Sequence, residues 1–385
     1  DLNDIARESG FQTKDCNGYN VLFQSGKPIY VDLGSFVEVP VGEDVLLPYE
    51  EFLRSYIYPL EIWRSAGQYL GGRVVPRAVG LLLAQEAYLR FRWPFFRGVR
   101  DSRLRGWWRR VAFVRTLRHQ DLEKRKGRMR SVVMRWLRFE KKAGWFRGPA
   151  RLGALRKRLH ALSHDTGNSQ WAGYHDDLNT GHDLRITPRF EAVIERLAGL
   201  NVTSVLELAG NQGVLSRAIA KRLSTARVIC TDPDGLAIDK GYVAARDHAE
   251  SIEWAILDPF SNETSPSEVI VQDRFRADAV VVLALTHHLT LTHNFRLDHI
   301  FDVIRSFAKS HVFIEFMPLG LHDGTSAPPF RDGYNEDWFD AEFRRHFEMI
   351  DRVQLEPNRI LFVGRITQRS ASIGSMSDEP AHQVF

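Results

Sequence analysis

Cysteine and long apolar runs are both scarce in this chain. Its 385 residues include two cysteines, Cys16 and Cys230. They lie too far apart to match a metal-ligand spacing, and we expect a reduced, cytoplasmic environment. No apolar run approaches the roughly 18–20 residues that cross a bilayer, and no signal peptide opens the chain. The sequence therefore predicts a protein with no transmembrane segment.

Acidic residues are nearly missing from one long segment. Between Arg90 and Arg158 there are 24 lysines and arginines against four acids, although the whole chain has a net charge of only +4. Residues 90–160 also hold five of the nine tryptophans, and their pattern is helical. Cations among aromatic residues suit an anionic membrane surface, which would place the protein at the inner membrane face. Nucleic-acid phosphates are the less favoured partner. The same pattern equally fits an arginine-rich helical hairpin that exposes one face to solvent and packs the other, with no binding role.

The first 90 residues predict a short hairpin followed by helices. Two apolar runs, 21–23 and 28–31, flank Gln24-Ser25-Gly26-Lys27, which has the composition of a turn. Residues 49–90 have helical apolar spacing. A polar stretch at 164–168 indicates a linker.

From about residue 170, strand and helix patterns alternate. The strands are predicted at 204–208, 227–231, 252–257, 278–284, 311–316, 347–354 and 359–366. The helices are predicted at 188–198, 213–223, 235–249, 297–309 and 336–346. Such alternation indicates an α/β fold with a seven-stranded, mainly parallel sheet covered on both faces. The last two strands are close in sequence and predict an antiparallel hairpin that closes the sheet. The Ser-rich residues 367–385 predict a disordered tail.

Polar residues stand where the predicted strands end. Glu207 ends the first strand and leads the small-residue loop Leu208-Ala209-Gly210-Asn211-Gln212-Gly213, and Asp232 ends the second. Ligands of parallel sheets bind at the carboxyl ends of the strands. A carboxylate at Asp232 can accept both hydroxyl protons of a ribose. Asp258 ends the third strand, where it can accept an adenine amino hydrogen or simply form a turn before Pro259.

Two nucleotide cofactors fit this arrangement. A dinucleotide needs a Gly-x-Gly-x-x-Gly loop whose helix faces a pyrophosphate. Here the loop is led by Glu207, whose carboxylate repels a pyrophosphate and attracts the ammonium of a methionine group. The sequence therefore favours S-adenosylmethionine.

Residues 200–366 resemble the class I S-adenosylmethionine-dependent methyltransferases. The segment 207–213 stands where that family has Asp/Glu-x-Gly-x-Gly-x-Gly, with Gly213 kept and Ala209 and Asn211 in place of the first two glycines. Segments 284–289 and 313–318 are similar to those after the fourth and within the fifth strand of one bacterial subgroup. The resemblance implies a Rossmann-like sheet, S-adenosylmethionine as cofactor, and cofactor contacts at Glu207, Ala209, Gly210, Asn211, Gly213, Asp232, Asp258 and Leu283.

The methyl acceptor is not encoded in a recognisable motif. His287 and His288 follow the fourth strand, and a histidine with a near-neutral pKa suits proton removal from a hydroxyl or amine. Both can equally cap a helix. Glu315 is a second candidate for contact with the substrate, or an ordinary strand-end acid. We expect O- or N-methylation of a small molecule or of a glycan- or lipid-linked acceptor, and we assign no metal.

The N-terminal residues resemble the catalytic loop of protein kinases and aminoglycoside phosphotransferases. Asp15 and Asn20 are five residues apart, and Asp32-Leu33-Gly34 follows. The resemblance implies Asp15 as base, with Asn20 and Asp32 on magnesium. Thr13-Lys14 replaces the usual His-Arg, and no phosphate loop precedes it. We therefore expect an inactive remnant and an N-terminal truncation.

Together these patterns predict four parts: a kinase-like remnant (1–89), a basic, Trp-rich helical connector (90–165), a methyltransferase domain (166–366) and a tail (367–385). The alternatives are a bifunctional kinase–methyltransferase and a non-catalytic module that uses the methyltransferase fold for binding.

Overall fold

The computed structural model describes residues 2–24, 26–42, 44–57, 60, 152–162, 169, 171–178, 184–248, 250–260, 270–320 and 333–367. Most of the predicted basic connector, the predicted linker at 164–168 and all but the first residue of the predicted tail lie outside these residues. The chain forms two compact units. The first unit comprises Asp1–Ile186 and Ala209–Glu268, and the second comprises Thr187–Leu208 and Val269–Phe385.

The N-terminal part of the first unit is built from short elements. Its helices are α1 (Leu2–Glu8), α2 (Tyr49–Phe52), a π-helical turn (Leu53–Ile57) and α3 (Leu152–His160). Its strands are β1 (Phe11–Thr13), β2 (Val21–Gln24), β3 (Lys27–Tyr30) and β4 (Phe36–Glu38), with 3₁₀ turns at Gly18–Asn20 and Leu33–Ser35. The predicted hairpin is confirmed, since β2 pairs with β3 antiparallel. The pairing of β1 with β4 was not predicted, because three-residue strands carry too little alternation to be recognised.

The predicted α/β alternation is confirmed in the described residues. The strands are β5 (Ser204–Leu208), β6 (Arg227–Asp232), β7 (Ile252–Ile256), β8 (Ala277–Val282), β9 (Ala308–Phe316), β10 (Glu348–Glu356) and β11 (Arg359–Arg365). They form one seven-stranded sheet in the order β10-β11-β9-β8-β5-β6-β7. The helices are α4 (Pro188–Ala198), α5 (Val214–Arg222), α6 (Gly235–Asp247), α7 (Val271–Phe275), α8 (Leu297–Phe307) and α9 (Glu336–His346), with a π-helical turn at His288–Thr292.

Strand directions also agree with the sequence. In the first unit β6 and β7 are parallel, with Val228 opposite Ile252. In the second unit β5, β8 and β9 are parallel, and β11 is antiparallel to both β9 and β10. The terminal hairpin that was predicted to close the sheet is therefore present.

The core of the first unit includes an indole packed against two glycines. Cys230, Ile238, Ala245 and Ile252 form a buried cluster on which Trp254 packs. A Cβ added to Gly213 would lie 2.4 Å from Cη2 of Trp254, and one added to Gly241 would lie 2.5 Å from Cζ3. Such distances leave no room for any side chain, so the indole fixes glycine at both positions.

The core of the second unit is aromatic. Helix α8 buries Leu297, Ile300, Phe301, Ile304 and Phe307, the spacing of one helical face. Phe301 meets rings of α9 edge-on, with centroids 5.3 Å from Phe339 and 5.9 Å from Phe343. Offset and edge-on rings of this kind gain about 0.5–1.5 kcal/mol per pair beyond the area that they bury.

Candidate functional site

In the first unit, three residues of the small-residue loop lie in the left-handed region of the backbone. Ala209, Asn211 and Gly213 all have positive φ, at 57°, 55° and 64°. Asparagine tolerates this left-handed region better than most residues, which explains how Asn211 stands where the family has glycine. The loop is tied down by hydrogen bonds from the N–H of Gly210 to the carbonyl of Thr231 (2.9 Å) and from the N–H of Gly213 to the carbonyl of Gly210 (2.8 Å).

Asp232 is a buried carboxylate beside this loop. Its Oδ2 accepts from the N–H of Asn211 at 2.8 Å, and its Oδ1 accepts from the N–H of Asp234 at 2.7 Å. An ionised carboxylate has about four acceptor positions, so about two remain for a ligand. Burial raises the pKa of Asp232 to about 6, although both backbone hydrogen bonds act in the opposite direction.

Residues 169 and 171–178, which we term the strap segment, are bound to the same loop. Asn211 donates from Nδ2 to the carbonyl of Trp171, and Gln212 donates from Nε2 to the carbonyl of Ala172, both at 2.8 Å. The first bond fixes the orientation of the Asn211 amide. Its Oδ1 is then buried with no hydrogen-bond partner among the described residues.

Further polar contacts hold the strap segment, and no local sequence pattern predicts them. Asp176 lies 2.8 Å from Nζ of Lys240 and accepts from Gln212 at 2.6 Å, which together lower the pKa of Asp176. Asp234 hydrogen-bonds Ser169 and also caps α6 through the N–H groups of Leu236 and Ala237. The Asp-x-Asp spacing of 232 and 234 was visible in the sequence, but the partners in the strap segment were not.

Asp258 forms a turn, which was the predicted alternative to contact with the adenine. Its Oδ1 accepts from the N–H of Phe260 at 3.1 Å, across Pro259. Adenine contact by Asp258 stays a prediction.

The remaining predicted cofactor residues belong to the second unit. Glu207 is buried in β5, opposite Val281 of β8. Leu283 is buried directly after β8, and Ala284 follows with a φ of 50°. The chain therefore leaves β8 through a left-handed turn.

His287 and His288 stand at the start of the π-helical turn. Their ring centroids are 4.1 Å apart. Burial lowers the pKa of His287 to about 3, with smaller contributions from His288 and Arg359, and burial also lowers that of His288. His287 is therefore neutral at physiological pH, and its pKa is far below the near-neutral value that suits a general base. Its Nδ1 is buried with no hydrogen-bond partner among the described residues.

Glu315 is fully buried in β9 and connects three elements. Its Oε1 accepts from the N–H of Ala284 at 3.0 Å and from Nη1 of Arg359 at 2.6 Å. Its backbone carbonyl accepts from the hydroxyl of Thr286 at 2.8 Å. Arg189 of α4 approaches Oε2 to 3.6 Å. Glu315 thus holds the backbone segment that follows β8 in place.

Neither arginine of this group was picked from the sequence. For Arg189 a signal existed, because it lies four residues before Val193 on the face that buries Phe190, Val193, Ile194 and Leu197. A charge on an apolar face needs a partner. Arg359 opens β11 after a turn and carries no such signal.

The three kinase-like residues come together in the first unit. Nδ2 of Asn20 donates to Asp15 at 2.8 Å and to Asp32 at 3.3 Å, and the Tyr30 hydroxyl donates to Asp15 at 3.2 Å. Asn20 therefore bridges the two carboxylates.

Across the described ranges, no group of three or more His, Cys, Asp or Glu side chains is placed to hold a metal ion. No helix in that part of the chain is both long enough and apolar enough to cross a membrane.

Comparison with known proteins gives a distant relative and a set of similar structures. No protein-family model matches the sequence. The nodulation protein NoeA of Rhizobium meliloti (strain 1021) is 24% identical over 332 residues, which make up 81% of this chain and 63% of that protein. The chain thus spans less than two thirds of the length of this relative.

Two of the similar structures are methyltransferases. Magnesium protoporphyrin IX methyltransferase (ChlM) of Synechocystis PCC 6803, crystallised with bound S-adenosylmethionine, is 13% identical over 52% of this chain and 86% of its own, with a TM-score of 0.35. The N-methyltransferase NodS of Bradyrhizobium japonicum WM9 is 15% identical over 46% of this chain and 96% of its own, with a TM-score of 0.34. With TM-scores this low, we base the function proposed below on the residues of this chain.

Proposed function

We propose that the protein is an S-adenosylmethionine-dependent methyltransferase. The observation that carries the proposal is the buried Asp232 carboxylate, which stands beside a left-handed loop and keeps about two acceptor positions for a ribose. The loop runs from a strand into a helix, as in the doubly wound folds that bind nucleotides.

The residues of the first unit fit the cofactor chemically. S-adenosylmethionine has two ribose hydroxyls and an ammonium, all of which donate hydrogen bonds. Asp232 and the partnerless Oδ1 of Asn211 are acceptors. We assign Ala209, Gly210 and Gly213 to the backbone that borders the cofactor, and Asp258 to the adenine. In the second unit we assign Glu207 to the ammonium and Leu283 to the adenine face.

The bound cofactor supplies an activated methyl group, so the residues of the chain mainly position and orient the reactants. His287 is neutral and keeps a free ring nitrogen, which suits it to hydrogen-bond the acceptor. We assign His287 and His288 to the acceptor rather than to the cofactor. An O- or N-methyl acceptor remains our proposal, as does the division into a methyltransferase domain at 166–366 and a basic connector at 90–165.

Calorimetry of the full chain with S-adenosylmethionine tests the proposal. We expect saturable binding that Asp232→Ala weakens at least about tenfold, since each hydrogen bond to a charged group contributes about 1.5–3 kcal/mol. Asp239→Ala, on the exposed side of α6, is the matched control and should bind like the wild type. Wild-type protein that binds no cofactor, or an Asp232→Ala variant of unchanged affinity, would contradict the proposal.

A second activity, magnesium-dependent nucleotide binding, is favoured by one observation. The carboxylates of Asp15 and Asp32 both lie within hydrogen-bond distance of the Asn20 amide. A carboxylate–amide–carboxylate set is chemically suited to magnesium. If this remnant still binds nucleotide, ATP should bind only with magnesium present and should be lost in Asp32→Ala. Binding that is independent of magnesium would reject this activity.

A further inference from the structure

Arg189 is a buried cation, and two of its three guanidinium nitrogens have no hydrogen-bond partner among the described residues. Its side chain is 8% exposed, and neither Nε nor Nη1 has a hydrogen-bond partner among the described residues. The aromatic ring of Phe190, 4.7 Å from the guanidinium carbon, covers one face without offering an acceptor in the guanidinium plane. Burying a charge in this way is costly unless an anion compensates it.

The nearby carboxylate is engaged through one oxygen only, and Oε2 of Glu315 is buried with no hydrogen-bond partner among the described residues. Glu315 approaches Arg189 only to 3.6 Å, through Oε2, while its Oε1 is bound to Arg359 and to the backbone of Ala284. Arg359 has a further carboxylate, Glu356, at 3.1 Å. Arg189 is therefore near a carboxylate oxygen but outside hydrogen-bond distance of it, and Nε and Nη1 of Arg189 have no acceptor among the described residues.

The position of Arg189 is that of a ligand-binding group. It belongs to the first turn of α4 in the second unit. It approaches Glu315 near the carboxyl end of β9, and Glu315 in turn accepts from the N–H of Ala284, which follows β8. His287, with its partnerless Nδ1, follows the same exit of β8. Ligands of parallel sheets bind at these strand ends.

We propose that Arg189 binds an anionic group, a carboxylate or a phosphate, of the methyl acceptor. This inference rests on the proposed methyltransferase function and adds to it the chemical class of the substrate. A guanidinium suits both anions, because its planar N–H groups match the geometry of carboxylate and phosphate oxygens.

The competing explanation is a purely structural ion pair. A small movement would close the 3.6 Å gap between Arg189 and Glu315, and each would then satisfy the other. In that case Arg189 would contribute to the stability of the fold and would bind no anion.

The test titrates the full chain with sodium phosphate and, separately, with sodium acetate, at constant ionic strength set by sodium chloride. Thermal unfolding and calorimetry are the measurements. Wild type is compared with Arg189→Gln and with Arg296→Gln, which removes a guanidinium that is 83% exposed. Phosphate binding by the basic residues 90–158 is common to all three and cancels in the comparison.

We expect at least one of the two anions to bind wild type and Arg296→Gln saturably, and about tenfold or more weakly in Arg189→Gln. A preference for acetate would indicate a carboxylate acceptor, and a preference for phosphate a phosphorylated one. Equal isotherms in all three proteins would overturn the inference, and a lower unfolding temperature of Arg189→Gln with unchanged anion binding would establish the structural ion pair.

Two additions keep the outcome decisive. If Arg189→Gln does not fold, Arg189→Lys keeps the charge beside Glu315 but loses the planar donors. Its anion affinity should fall at least about threefold, and an unchanged affinity would overturn the inference. Cofactor binding is measured on the same variants. If the wild type binds no cofactor, the methyltransferase function alone is rejected. If the wild type binds the cofactor normally and substitution of Arg189 leaves anion affinity unchanged, the acceptor inference alone is rejected.

Discussion

At the scale of single residues, Asp232 combines a structural and a binding role. Its two oxygens hold the backbone of Asn211 and Asp234, and its raised pKa of about 6 shows how strongly burial opposes its charge. Because the pKa of Asp232 in the folded state lies well above its ordinary value, ionisation of Asp232 costs stability. Its contribution to stability is present at low pH and is lost as the pH rises through about 6.

Cofactor affinity should change with pH in the opposite direction. Ribose hydroxyls need the ionised carboxylate, so the affinity for S-adenosylmethionine should fall as the pH is lowered through about 6. Calorimetry at several pH values, in buffers of different ionisation enthalpy, should also detect proton release on binding near this pH. Asp239→Asn should keep this pH profile and Asp232→Asn should lose it. A wild-type affinity that is constant down to about pH 5 would contradict the assignment of Asp232.

His287 gives a prediction that does not depend on the cofactor. Since burial lowers its pKa to about 3, its imidazole should stay neutral between about pH 5 and pH 8. NMR titration of the histidine ring signals, assigned with His287→Gln, measures this directly. A His287 signal that titrates between about pH 6 and pH 7 would restore it as a candidate general base.

At the scale of secondary-structure elements, the first unit depends on the contact between Trp254 and the glycines of the loop and of α6. Gly213→Ala should destabilise the fold by about 2–4 kcal/mol, because the new Cβ meets Trp254 at 2.4 Å and alanine must adopt a φ of 64°. Urea unfolding measures the change. Gly153→Ala, in α3, meets no atom within 4 Å and should be neutral or slightly stabilising. A Gly213→Ala variant as stable as Gly153→Ala would show that the indole does not occupy this position.

The elements also show what could be predicted from sequence. Helices α4 and α9 were predicted with the bounds that the structure has, because each has an N-cap in its sequence. Thr187 accepts from the N–H of Phe190 at 3.3 Å, and Asn335 accepts from that of Trp338 at 2.9 Å. Strand β9 was predicted to begin at 311 but begins at Ala308. Its first residues, Ala-Lys-Ser, have no strand pattern, and the strand begins early because Ala308 pairs with Ala277 of β8 ahead of an irregularity in the register.

The candidate site was predictable only in part, for a physical reason. Strand-end acids such as Asp232 could be predicted because the apolar pattern shows where each strand ends, and ligands of parallel sheets bind at those carboxyl ends. Asn211 contacts a backbone carbonyl 40 residues away, and Arg189 lies near a side chain 126 residues away, and no local pattern specifies either neighbour. Glu315, weighed as an ordinary strand-end acid, proved to be a buried partner of two arginines.

At the scale of the whole molecule, positive charge is concentrated in one segment of the sequence. Residues 90–158 carry 24 lysines and arginines against four acids. If they bind a membrane surface, the full chain should sediment with vesicles of anionic phospholipid and not with neutral ones, and salt should release it. Cosedimentation at low and high salt measures this. Equal binding to duplex DNA and to anionic vesicles would mean that the segment responds to charge alone.

The central claim, that S-adenosylmethionine binds at the loop 207–213 and at Asp232, is tested most directly by hydrogen exchange. Mass spectrometry of the full chain with and without the cofactor reports which backbone amides become protected. We predict protection in peptides that cover 207–213 and 232–236, and none in the kinase-like residues 15–32. Exchange that is unchanged at 207–213 and 232–236, or protection confined to 15–32, would contradict the account.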